Sequence, residues 1–383
     1  GNSLSTFEVG DANAVAADNV TTATDFVSTD FLGNVFIEFA ADVFTASTDV
    51  DAGALTTDRV YALFDSTGDD IAIPLTGVEI YTADLNTGNT AAAETYTFDV
   101  DGATGLTTVQ LVTSSANNQT GVIDDYVDTI TVELGAKVGA TTYRGFNNSS
   151  ILTVNHKNAD GAADVLNLTL GETDNASGTI DINAAGTETL NLKVSTDDSD
   201  HKIDLAGVTA TSGSTTTVNV TGGVSSDFLE ITTTPSTMAT IDASAYLGIG
   251  LILTDRNSRA MTITTNTGAD TLRMENSKDV LDAGGGTDDT LNVVDTLVLG
   301  GIEADLTSTT DQIPTFNGAA NSGIQKGFEN IDLSGVGGSF GAAITAVSTG
   351  SEITGTKNAD TVTLGTSTTV KDDIHFDGGV ESS

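Results

Sequence analysis

The chain has no cysteine and no tryptophan, three histidines, three prolines, and 13 lysines and arginines against 54 acidic residues. Without cysteine there are no disulfides, thiolate zinc sites, iron–sulfur clusters or thiol nucleophiles. A formal net charge of −41 leaves no basic stripe to track phosphates, so no nucleic-acid partner is expected. The same shortage removes the Lys/Arg clusters that dock proteins on anionic lipid. No stretch approaches the roughly 20 apolar residues of a membrane-spanning helix. The longest apolar runs, 31–40 and 247–253, are short, and no membrane insertion is expected.

What is abundant points to strands. Threonine is the commonest residue at 65, glycine follows at 41, and aspartate outnumbers glutamate 41 to 13. Thr, Val and Ile favour extended backbone, while good helix formers other than alanine are scarce. Hydrophobic residues make up 38% of the chain, enough for a core despite the acidity. The expectation is an all-β protein whose strands are separated by Gly/Asp/Asn turns. The chain opens on Gly1 without methionine and stops within Asp377-Gly378-Gly379-Val380, so it is expected to be a processed product or part of something longer.

Three segments read differently. Residues 1–30, rich in Ala, Thr and Asp, suggest an arm or linker. Residues 31–150 hold most of the aromatics and alternate with period two in Asn34–Phe39, 78–82, 95–100 and Thr129–Leu134, suggesting a β-sandwich-like domain. The stretch 56–64 fits a short helix or a strand. Residues 151–383 carry a recurring beat of apolar, polar, apolar. It appears as Leu166-Asn-Leu168, Ile180-Asp-Ile182, Leu190-Asn-Leu192, Ile203-Asp-Leu205, Val218-Asn-Val220 and Leu229-Glu-Ile231. It continues through Leu251-Ile-Leu253, Met261-Thr-Ile263, Leu281-Asp-Ala283, Leu291-Asn-Val293 and Ile331-Asp-Leu333. Two beats span about 20 to 25 residues, the period of a parallel β-solenoid whose coils each give two short strands. A second β-sandwich is the alternative for this spacing.

Four places approximate the nonapeptide Gly-Gly-x-Gly-x-Asp-x-apolar-x of calcium-binding β-rolls. They are Gly222-Gly-Val-Ser-Ser-Asp-Phe-Leu229, Asn266-Thr-Gly-Ala-Asp-Thr-Leu272, Gly284-Gly-Gly-Thr-Asp-Asp-Thr-Leu291 and Gly355-Thr-Lys-Asn-Ala-Asp-Thr-Val362, with Asp377-Gly378-Gly379 opening a fifth. Glycine lets a turn take positive φ and aim its carbonyls at one point, and the aspartate adds a carboxylate. Two stacked coils can then complete the six to eight hard oxygens that Ca²⁺ prefers. Asp270 and Asp289 stand near the spacing of two nonapeptides. The candidate ligands are therefore Asp227, Asp270, Asp282, Asp289 and Asp360, with Gly222, Gly268 and Gly284 shaping the turns. Asp65/Asp69/Asp70 and Asp124/Asp125/Asp128 are weaker candidates. Against all of them stands the ordinary role of turn aspartates, which bond their own backbone.

These turns, with Thr240-Ile-Asp-Ala-Ser-Ala245, Gly327-Phe-Glu-Asn-Ile-Asp-Leu-Ser-Gly335 and Thr189-Leu-Asn-Leu192, make residues from about 151 onward resemble the repeats-in-toxin (RTX) proteins, specifically their bacterial S-layer branch. The resemblance implies a calcium-stabilised β-roll, type I secretion to the extracellular bacterial cell surface, and assembly with copies of itself. The degenerate glycines depart from the family's best repeats. The expected function is a secreted structural protein that self-assembles as an S-layer, sheath or filament. The alternative is an adhesin or carbohydrate-binding segment of a long RTX protein, with cell-surface polysaccharide as partner. An enzyme is not expected: His156 and His201 lack a Ser or Asp partner at motif spacing, and His375 beside Asp372/Asp373 reads as a solvated loop. The one basic cluster, Asp255-Arg256-Asn257-Ser258-Arg259, reads best as a loop ion pair between Asp255 and an arginine.

Overall fold

A computed structural model describes residues 6–9, 26–27, 34–39, 50–51, 58–64, 71–72, 75–85, 94–100, 103–112, 119–126, 129–134, 137–138, 141–142, 150–156, 164–171, 179–194, 200–294, 300–367 and 369–375. Its regular elements there are strands throughout. The chain divides into two compact units, Gly1–Ser214 and Thr215–Ser383.

In the first unit most strands fall in two ladders with parallel pairing; Phe26–Val27, Val50–Asp51 and Leu75–Thr76 form a third parallel set, and Lys137–Val138 pairs antiparallel with Thr141–Thr142. One ladder takes Thr6–Val9, Asn34–Phe39, Arg59–Phe64, Ile80–Leu85, Thr108–Val112, Thr129–Leu134, Val165–Leu170 and Thr189–Val194. The other takes Ile71–Ala72, Glu94–Asp99, Gln119–Tyr126, Ile151–His156, Ile180–Ala185 and His201–Thr209. Each rung stacks like on like: Ile37, Val60, Tyr81, Val109, Val132, Leu168 and Leu192 form one register column, none more than 1% exposed. Period-two alternation aims these residues inward, and burial of apolar area is what holds rung on rung. Tyr81 and Phe98 meet edge to face across the interior, with ring centroids 5.8 Å apart.

The parallel β-solenoid-like build is thus not confined to residues after 151. The β-sandwich expected over 31–150 is not established, because most of its described strands pair in parallel within the same ladders as strands from 151–209. Period two reports which side chains face inward, and a sandwich strand and a coil strand share it. The stretch 56–64 contains the strand Arg59–Phe64.

The second unit repeats the scheme with tighter coils. One ladder runs through Thr216–Gly222, Met238–Tyr246, Thr262–Thr264, Val280–Asp282 and Ile324–Lys326. The other runs through Phe228–Ile231, Gly250–Leu253, Thr271–Met274, Thr290–Val293, Asn330–Asp332, Glu352–Thr354 and Asp373–His375. Between Thr290–Val293 and Asn330–Asp332 the chain makes an excursion. It adds Ile302–Asp305, which pairs in parallel with the later Ala342–Thr345, itself paired in parallel with Thr361–Thr363. It also adds the hairpin Thr315–Phe316/Ala319–Ala320, whose two turn residues, Asn317 and Gly318, both take positive φ (57° and 71°). That is the Asn-Gly pair a tight hairpin selects. Gln312 pins the excursion: its amide donates to the Leu306 and Phe328 carbonyls and its oxygen accepts the Phe328 N–H. Both apolar residues of every beat quoted above are buried, none more than 2% exposed.

Candidate functional site: the acidic turn column of the second unit

A coil that stacks in parallel leaves one backbone N–H at the start of each strand facing the turn of the next coil. Here an acidic residue fills that role repeatedly. The acid that immediately precedes a strand reaches back one coil and accepts an amide there. In the first unit Glu79 accepts from Asp58 N (2.9 Å) and Glu188 from Asp164 N (3.2 Å). In the second, Asp279 accepts from Met261 N (3.0 Å), Asp360 from Ala342 N (2.7 Å) and Asp372 from Ser351 N (3.1 Å). Charge-assisted bonds of this kind, shielded from water, are stronger than neutral ones and lock coil to coil.

Three such contacts run consecutively. Asp270 Oδ1 accepts Leu251 N (2.6 Å), Asp289 Oδ1 accepts Asp270 N (2.8 Å), and Glu329 Oε2 accepts Asp289 N (3.0 Å). Asp270 and Asp289 are both 0% exposed. Asp289 Oδ2 is buried without a hydrogen-bond partner. A Cβ placed on Gly286 would stand 2.6 Å from the Gly268 carbonyl oxygen and 2.9 Å from this Oδ2. A carboxylate oxygen and a carbonyl oxygen therefore converge on a spot that glycine leaves open. Burial pushes the Asp289 carboxyl up to about 7; the Asp270 N–H opposes the rise, and the negative charges of Asp270, Glu329 and Asp288 add to it. Burial raises Asp270 as well, opposed by the Leu251 amide and the Thr265 hydroxyl. Glu329 is raised by burial, opposed by the Asp289 amide.

The sign of this shift gives a pH prediction. An acid that binds its proton more tightly folded than unfolded destabilises the native state when ionised. In the absence of divalent cations, its cost is present in full above pH of about 7 and fades as pH falls toward the ordinary carboxylate range. Denaturant melts at several pH values in chelator should show this component, and Asp289→Asn should remove it. An unchanged pH profile in the variant would contradict the assignment.

The other residues singled out from sequence fall elsewhere. Asp227, 1% exposed, closes its own turn by accepting Val224 N (2.8 Å), and its main-chain oxygen accepts Tyr246 OH (2.9 Å) and Ile249 N (2.8 Å). Gly222 and Gly223 supply the positive φ this turn needs (79° and 77°). At Gly223 a Cβ would also lie 2.6 Å from the Tyr246 ring. Gly223→Ala is therefore expected to cost more than the roughly 1 kcal/mol of a left-handed alanine, since ring and backbone must both move. Urea unfolding would measure it, and a cost below that figure would contradict the packing argument.

Asp282 points outward on its strand; Oδ1 accepts Gly284 N (3.1 Å) and Oδ2 pairs with Lys326 Nζ at 2.8 Å. Asp360 spends both oxygens on protein donors: Oδ1 on Ala342 N and the Thr356 hydroxyl (2.8 Å), Oδ2 on Thr356 N (2.8 Å). Of the predicted set, Asp270, Asp289, Gly268 and Gly284 share one turn stack. Glu329, in the phrase Gly327-Phe-Glu-Asn, joins them unforeseen because the excursion places it 40 residues beyond Asp289. Among the described residues no three His, Asp or Glu side chains form a metal-holding cluster. Asp65, Asp69, Asp70, Asp128 and 377–379 lie outside the described residues, as do the side chains of Asp124 and Asp125.

The basic cluster resolves differently from its local reading. Arg256 pairs with Asp279, 23 residues on, through Nη1–Oδ2 (2.7 Å) and Nη2–Oδ1 (2.9 Å), both side chains fully buried. Asp255 faces Arg273 at 3.6 Å instead. His375, half exposed on its strand, stands 3.7 Å from Glu352 and 3.6 Å from Asp373.

The fold and this turn column define a class: parallel β-solenoid-like coils clamped by buried and half-buried carboxylates. No protein-family model, curated protein or solved structure matches the chain.

Proposed function

We infer that the chain is a secreted structural protein of the bacterial cell surface, exported by a type I system, that assembles with copies of itself as an S-layer, sheath or filament, with Ca²⁺ stabilising its coils. The observation that carries this reading is Asp289 Oδ2, an ionisable oxygen buried without a donor beside the Gly268 carbonyl. Hard oxygens of this kind fit Ca²⁺, which takes carboxylates and backbone carbonyls and completes its shell with water. Asp289, Asp270 and the Gly268 carbonyl would hold it. The bound ion would supply the positive charge that offsets a buried, mutually repelling set of carboxylates. Asp282 and Asp360 are not in this set, since Lys326 and Thr356 occupy their oxygens.

At a net charge of −41, copies repel one another unless cations neutralise facing carboxylates. A cation that binds only the folded chain also couples folding to calcium, so a low-calcium cytosol keeps the chain unfolded for export. The expected result is a melting temperature that falls on chelation and returns when calcium is restored. Equal melting in calcium and in chelator would refute the coupling.

A further inference from the structure

The second unit contains two turns of the same build with different surfaces. In each, a glycine at or just before the first residue of a strand packs against an alanine carbonyl of the next coil: Gly250 against Ala269, and Gly341 against Ala359. In each, an aspartate of that next coil accepts the amide after the glycine: Asp270 takes Leu251 N, and Asp360 takes Ala342 N. An asparagine side chain then bonds the turn carbonyls. Asn266 reaches those of Tyr246 and Gly248, and Asn358 reaches those of Gly338 (3.3 Å) and Phe340 (3.1 Å).

The residue before the glycine is an exposed apolar one in both turns. At the first, Leu247 (65% exposed) and Ile249 (38%) line a cavity of about 590 Å³ together with Gly248, Gly268, Gly286 and Asp288. At the second, Phe340 stands out at 47% exposure on a glycine-bounded loop. Phe340 does not line the cavity of its own chain. Lys357, exposed beside Asn358, brings to the Phe340 turn one of only 13 basic residues, and Asp288 is an exposed acid at the cavity edge.

We propose that Phe340 of one copy seats in the Leu247/Ile249 cavity of a second copy, with Lys357 facing Asp288 across the contact. Three observations select a second copy as the occupant. Knob and hole belong to the same chain yet are separate on it. Their flanking charges are opposite in a protein with 54 acidic residues and only 13 basic ones. An exposed aromatic anchor entering a pocket on a partner is also the kind of contact that carries binding energy at protein interfaces. Because knob and hole are different surfaces, the contact is heterologous, and repeated copies extend into an open chain instead of closing as a dimer. This contact deepens the self-assembly reading above and rests on it.

The test uses the full chain in calcium and reads size by sedimentation velocity. Phe340→Asp and Leu247→Asp are each expected to leave the melting temperature in calcium unchanged, because both residues are exposed, and to weaken assembly about 30-fold or more, as loss of a central anchor does. Mixing the two variants gives the sharper readout. Each retains one intact half, so the mixture should stop at dimers while either variant alone stays monomeric. Phe340→Ser serves the same purpose if the aspartate disturbs the loop. Wild-type assembly with undiminished assembly of the variants would overturn this contact and leave self-assembly standing. A wild-type chain that stays monomeric in calcium would overturn both.

Discussion

Asp279→Ala should be the most damaging single substitution away from the turn column, costing about 3–5 kcal/mol, the range for a buried ion pair that loses one partner. Asp279 accepts both forks of the Arg256 guanidinium, and its two oxygens also take the amides of Met261 (3.0 Å), Glu275 (3.1 Å) and Asn276 (2.8 Å). Arg256 in turn donates to the carbonyls of Asn257, Arg273 and Arg259. Removing the carboxylate strands a guanidinium with no exposed surface and three amides at once. Arg256→Met strands the carboxylate and should cost a comparable amount. The double variant Arg256→Met/Asp279→Leu should cost less than the sum, since no charge is left buried. Urea unfolding of the three variants measures this. A cost under about 1 kcal/mol for Asp279→Ala would place the pair in the weak class of solvated surface bridges.

Asp289→Asn should split stability by condition. Asparagine keeps an oxygen to accept the Asp270 amide but carries no charge. In chelator above neutral pH the variant is expected to be at least as stable as the parent, because an ionised group at an unfavourable site is gone. In calcium the order should reverse. At a free concentration a hundredfold above its Kd, a ligand that binds only the folded state stabilises it by about 2.7 kcal/mol, and the variant should forfeit most of that gain. Thermal melts of both chains in calcium and in chelator give four numbers and one crossing. If the variant keeps the full calcium response, Asp289 is not a ligand.

The inward face of the fold was legible because a parallel coil repeats one requirement at every rung. Each strand must offer two apolar residues separated by a polar one, and Leu190-Asn-Leu192 or Leu291-Asn-Val293 state this locally. Which strand lies next to which was not legible in 31–150. The alternation in Thr129–Leu134 is the same whether its neighbour is an antiparallel sandwich strand or, as here, the parallel Thr108–Val112 and Val165–Leu170. Within the site, the stacking of Asp270 and Asp289 could be read because their spacing of 19 residues is one tight coil. Glu329 could not, because an excursion with its own hairpin separates it from the rung it completes. Asp282 and Asp360 look like Asp270 in sequence, and only the positions of Lys326 and Thr356 show that their oxygens are taken. The Arg256–Asp279 pair was hidden for a related reason: the nearest acid in sequence, Asp255, is not the nearest in space.

Acids that immediately precede strands do backbone chemistry. Glu79, Glu188, Asp279, Asp360 and Asp372 satisfy amides that a stacked coil would otherwise leave buried without partners. The remaining acids leave the chain strongly anionic, at a formal net charge of −41.

The most direct test of the central claim is electron microscopy of the purified chain in calcium and again after chelation. Ordered sheets or filaments that disperse on chelation and re-form with calcium are the predicted result. Isolated monomers under both conditions, or assemblies indifferent to chelation, would contradict a calcium-dependent structural polymer.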